Sequence, residues 1–140
     1  LRLKRIGDFA AKMIDAFRIS TPTPETLVKF LSGGNIQKTI LAREIDACGG
    51  VLVASYPSRG LDVGAIESVR NMLIEQRDCG NGVLLISEEL DELLSVADRI
   101  AVLYEGKIMG IVSVENAHAE MLGLMMTGVP YEKAAGKPAE

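Results

Sequence analysis

The stretch Phe30-Leu31-Ser32-Gly33-Gly34-Asn35-Ile36-Gln37-Lys38 constrains this chain more than any other. A hydroxyl residue and two glycines stand directly before an apolar-periodic segment, Ile36, Ile40, Leu41 and Ile45. That is the pattern of a loop running into a helix N-terminus. Glycines let a backbone approach a ligand closely, and the first turn of a helix leaves several N–H groups without partners. Such an end favours an anion by roughly 0.3–1 kcal/mol from the helix dipole alone. On spacing alone, the same residues read equally well as an N-cap serine followed by flexible glycines.

The rest of the composition narrows the class. A chain of 140 residues, 48% hydrophobic, has the core material of one folded domain. Its apolar runs fall well short of the roughly 18–20 residues of a membrane span. A net charge of −4 and a pI near 5.1 argue against a general nucleic-acid binder. The basic opening Leu1-Arg2-Leu3-Lys4-Arg5 has no apolar region behind it, so it reads as the solvated side of a helix and not as a signal peptide. A start at Leu1 suggests a segment of something longer. Cys48 and Cys79 lack metal-ligand spacing and read as reduced, structural thiols. His118, the single histidine, has no ligand-spaced partner and reads as a surface residue of the last helix.

Taken in order, Ile6, Phe9, Ala10, Met13, Ile14 and Phe17 predict an amphipathic helix over residues 5–18 whose apolar stripe is packing surface. Pro22 and Pro24 impose an extended connector, after which the glycine-led helix runs to Cys48-Gly49-Gly50. Val51-Leu52-Val53-Ala54-Ser55 and Val83-Leu84-Leu85-Ile86-Ser87 read as strands buried on both faces of a parallel sheet, separated by a helix over residues 63–78. An acidic helix over residues 88–97 follows, with Glu88 and Glu89 in its first turn. Residues 100–104 and 107–112 flank Glu105-Gly106 as a β-hairpin, a last helix covers residues 115–126, and the tail from Pro130 reads as loose. The class is α/β with at least one right-handed βαβ crossover.

Two strings carry a resemblance. Leu31-Ser32-Gly33-Gly34-Asn35-Ile36-Gln37-Lys38 resembles the signature motif of ABC transporter ATPase domains. Arg59-Gly60-Leu61-Asp62-Val63-Gly64-Ala65 looks like the D-loop of that family in the form seen in sugar and nucleoside importers. The resemblance spans residues 9–112 and implies a partial P-loop NTPase-like ABC domain, with residues 1–30 in its helical subdomain. Residues 31–128 would then hold the signature, Walker B strand, D-loop and switch region, and residues 129–140 the tail. The Walker A half is missing, since no Gly-x-x-x-x-Gly-Lys-Ser/Thr occurs. In the family two such domains meet head to tail, and the signature of one touches the γ-phosphate of the ATP held by the other. By resemblance Ser32, Gly33, Gly34 and Gln37 are ATP contacts made in trans, and Gly60, Leu61 and Asp62 face the dimer interface. Asp62 also reads, without the family, as a helix cap.

Three positions depart from the pattern of active members. The strand-end Asp that binds Mg²⁺ through water is Ser55 here, the following Glu is Tyr56, and the switch histidine is Glu88. A neutral hydroxyl is a poor partner for Mg²⁺, and a phenol is a poor stand-in for a carboxylate base. The resemblance therefore implies an asymmetric pair. The signature of this chain completes a partner's ATP and Mg²⁺ site, its own half-site is degenerate, and the chain alone is inactive. The missing acidic pair looks most like the second domain of importers that fuse two such domains. The implied partners are another ABC nucleotide-binding domain, transmembrane permease subunits and, indirectly, a substrate-binding protein, at the cytoplasmic face of the membrane. A non-transport, regulatory or structural ABC-like module is the alternative.

Overall fold

The computed structural model describes residues 3–136, in two compact units that divide after Ile86.

The first unit opens with α1 (Leu3–Ala16), which has no buried residue: Ile6 and Phe9 are each about half exposed. Ala10, Met13, Ile14 and Phe17 of the expected apolar stripe are half-buried. The connector after it turns through a short 3-10 helix, Val28–Phe30, before α2 (Gly33–Asp46). Next come β1 (Val51–Ser55), α3 (Val63–Asp78) and β2 (Gly82–Ile86). The two strands pair in parallel, Val51 opposite Gly82 through Ser55 opposite Ile86, and α3 is the crossover between them. The core is small and one-sided. Leu52 and Ala54 of β1 meet Leu41 of α2 and Val69 and Leu73 of α3, all 6% exposed or less. The opposite face carries Val51, Val53, Leu84 and Ile86, between 43% and 68% exposed. The expectation of strands buried on both faces is thus corrected. Side chains alternate across a strand, and both helices lie over the same face, so an all-apolar run is buried at every second residue only.

The second unit begins with α4 (Leu90–Val96). The helix starts later than its acidic sequence suggests: Glu89 is its N-cap, without a side-chain cap bond, and the first-turn acids are Asp91 and Glu92. Glu88 and Glu89 are therefore loop and cap residues. Here the Ser87 Oγ accepts the Glu89 N–H at 3.1 Å, a local turn that holds the chain out of the helix. The hairpin β3 (Arg99–Tyr104) and β4 (Lys107–Ser113) forms as expected. Glu105 and Gly106 both have positive φ, the two-residue turn whose twist matches the strands. The last helix is shorter than expected, α5 (Ala119–Met126), because a 3-10 turn takes up Val114–Asn116 and His118 serves as N-cap. The tail is not loose throughout: α6 (Tyr131–Ala134) forms, and Ala134 is buried against the core of Ile100, Val102, Val112, Met121, Leu122 and Met125. Gly110 makes this docking possible, since a Cβ there would lie 2.7 Å from the Tyr131 Cβ. Residues 137–140 of the expected tail lie outside the described residues.

Candidate functional site

The glycine-led segment is built as cap and cleft together. Ser32 is the N-cap of α2 with extended backbone, φ −66° and ψ 158°. Its Oγ accepts the Asn35 backbone N–H at 3.4 Å and the Asn35 side-chain Nδ2–H at 2.9 Å. A hydroxyl oxygen has two acceptor positions and one proton to give. With both acceptor positions engaged, the remaining capacity of Ser32 is to donate. Gly33 and Gly34 follow in the first turn, where the helix supplies no carbonyl for their N–H groups. Capping and anion binding, alternatives in the sequence, are therefore compatible in one serine.

Asn35 ties this turn to the chain before it, because its Oδ1 accepts the Ser20 N–H at 2.8 Å. One turn further on, the Lys38 Nζ donates to the Arg18 carbonyl at 3.4 Å. Arg18, at φ 49°, is in the left-handed region where the chain leaves α1. These bonds bring the Lys38 ammonium and the Arg18 backbone to the start of α2.

A second helix N-terminus opens on the same place. Asp62 is the N-cap of α3, and its Oδ1 accepts the Ala65 N–H at 2.9 Å, as its capping pattern implies. Between the two helix starts lies an open cleft of about 210 Å³, with Arg18, Ser32, Lys38 and Asp62 on its walls. Two helix N-termini and the Lys38 ammonium stand there against one capping carboxylate, a balance that suits an anion. Gly33 stands beside Leu61, with the leucine Cδ2 3.7 Å from where a Cβ would be, and Gly60 takes a positive φ of 73° in the loop before. Gln37, on α2, is half-buried and does not line the cleft.

The strand end is chemically different. Tyr56 follows β1 at φ 49°, its N–H donates to the Ile86 carbonyl at 2.8 Å, and its ring is 40% exposed. The Arg59 guanidinium lies 5.6 Å from the ring centroid, a cation–π contact. Ser55 is on the exposed face of β1. A hydroxyl and a phenol do not suit Mg²⁺, which takes carboxylate and other hard oxygens. Among the described residues no group of three His, Cys, Asp or Glu could hold a metal. Glu88 and His118 are exposed in the second unit. Cys48 and Cys79 are free thiols.

Arg18 and Ser20 escaped the sequence reading, because only the fold of the connector returns them to α2. Asn35 and Lys38 were visible inside the motif string itself.

With this geometry, the fold is part of an ABC ATPase cassette. It superimposes on the dimeric structure of a bacterial ABC transporter cassette with a TM-score of 0.66 at 18% identity, covering 76% of this chain and 46% of that one. The chain is also a homologue of the ATP-binding proteins of sugar and nucleoside importers. It is 48% identical over 128 residues to the guanosine import ATP-binding protein NupO of Bacillus subtilis, 91% of this chain and 25% of that protein. It is 54% identical over 98 residues to the glucose import ATP-binding protein TsgD13 of Haloferax volcanii, 70% of this chain and 18% of that protein. The chain thus spans about a quarter or less of the length of the curated relatives it matches. No family model matches it.

Proposed function

We propose that this chain supplies the capping half of an ATP site shared with another nucleotide-binding domain, in an ATP-binding protein that drives import of a sugar or nucleoside. The observation that carries the reading is the Ser32 hydroxyl, held by two bonds from Asn35 so that its proton is left to give, at a helix start flanked by Lys38. Ser32 and the first-turn N–H groups of Gly33 and Gly34 would hold phosphate oxygens of the partner's ATP. Bound there, ATP supplies the free energy of its hydrolysis. Gln37, Gly60 and Leu61 would support that contact from α2 and from the loop before α3. Mg²⁺ and the attacking water would be held by the partner domain, because Ser55, Tyr56 and Glu88 offer neither a suited ligand set nor a base. The relatives' printed names support the importer setting. Permease subunits would hold the protein at the cytoplasmic face of the membrane, the setting that the relatives' names as import ATP-binding proteins support.

The test is ATP hydrolysis by the full-length protein in its transporter, wild type against Ser32→Ala. Loss of one preorganised donor to a developing charge costs roughly 10²–10³-fold in rate. A rate within about threefold of wild type, against that expectation, would remove Ser32 from the site and the reading with it.

A further inference from the structure

Gly34 has a role that ligand approach alone does not explain. It is buried, and a Cβ placed on it would lie 2.8 Å from the Ala65 Cβ, on the first turn of α3. Carbon atoms in contact prefer roughly 3.5–4.0 Å. The neighbouring Gly33 differs: a Cβ there would meet only the Leu61 side chain at 3.7 Å, an ordinary contact. The two glycines are thus distinguished by their surroundings. One is sterically free to carry a methyl group and the other is not. The obstacle at Gly34 is a short, stiff side chain on a helix and cannot rotate away. The N–H of the same Ala65 is bonded to Asp62, so any retreat of Ala65 disturbs the α3 cap as well.

We propose that Gly34 is a positioning residue. By carrying no side chain it lets the first turn of α2 seat against Ala65, which brings the capped starts of both helices onto one cleft. The requirement is a property of the pair 34/65 and is met whenever one of the two lacks its Cβ. This rests on the shared-site reading above, and it adds that the spacing of the two helix starts is set by that contact.

The experiment compares wild type, Gly34→Ala, Ala65→Gly and the double variant in the full-length protein in its transporter, with Ser32→Ala alongside. ATP hydrolysis and the melting temperature are both read. Gly34→Ala is expected to lower hydrolysis by about 100-fold, the cost of an ångström-scale misplacement. The double variant is expected to recover to within about tenfold of wild type, because Ala65→Gly removes the clashing atom while keeping the N–H that Asp62 accepts. A double variant as slow as Gly34→Ala would overturn the proposal, since the glycine would then be needed by the ligand and not by the helix. A Gly34→Ala protein near wild-type activity overturns it equally. If Ser32→Ala leaves hydrolysis untouched, the shared-site reading has failed, and the melting temperatures decide the contact by themselves. A double variant melting above Gly34→Ala upholds the steric pair, and one melting below it refutes the pair.

Discussion

At the scale of single residues, Ser32 carries two separable properties. The cap requires an acceptor, and the proposed phosphate contact requires a donor. Ser32→Asp separates them, because a carboxylate caps helices as well as serine does and can accept both bonds from Asn35, yet it offers no proton and repels phosphate. Thermal unfolding of this variant should match wild type, while Ser32→Ala loses about 1 kcal/mol of cap stability. Hydrolysis in the full-length transporter should fall strongly in both. If Ser32→Asp retained activity, the serine would be a cap and nothing more. Tyr56 gives the opposite expectation. In the proposed function its hydroxyl has no catalytic part, and its backbone, not its phenol, makes the bond to Ile86. Tyr56→Phe should therefore leave steady-state hydrolysis within about twofold, whereas a working general base is worth roughly 10²–10⁴-fold.

At the scale of elements, most boundaries were legible because local chemistry decides them. Asp62 before Val63 and Cys79-Gly80 after Asp78 fixed both ends of α3, and Glu105-Gly106 fixed the hairpin. What misled was burial. Val51, Val53, Leu84 and Ile86 are as apolar as any core strand, and composition cannot say that the two helices share one face. The tail misled for a related reason. Pro130 and the short polar run after it give no helical period, and α6 owes its place to Ala134 in the core and to the space left by Gly110. Isolated short helices are marginal, so docking decides. Gly110→Ala should cost about 1–3 kcal/mol in chemical denaturation by pushing against Tyr131 and Met125. Asp62→Ala should cost about 1 kcal/mol, and Asp62→Asn, which keeps the cap acceptor, much less. The cleft itself was half legible: its serine, asparagine and lysine are in one string, while Arg18 arrives through a connector whose turns no periodicity encodes.

At the scale of the whole molecule, the proposed function divides the labour between domains. This chain presents a serine hydroxyl, helix N–H groups and the Lys38 ammonium, and it has no Gly-x-x-x-x-Gly-Lys-Ser/Thr loop to cradle the remaining phosphates and no carboxylate pair at its strand end. An open cleft of this kind touches a phosphate from one side only, and a few donors facing water give little net affinity, because each bond made replaces one to solvent. Calorimetric titration of Mg-ATP into the purified 140-residue chain should therefore show no binding tighter than about 1 mM, equivalent to about −4.1 kcal/mol. An added nucleotide-binding domain that holds ATP through its own phosphate loop should change this, since the chain then closes over a ligand already ordered and the ordering cost falls on the partner. The same Mg-ATP titration with both domains present should give measurable heat, and Ser32→Asp should abolish the increment due to this chain. Micromolar binding by the chain alone would instead require a second phosphate contact within it, and the division of labour drawn from Ser32, Ser55 and Tyr56 would not stand.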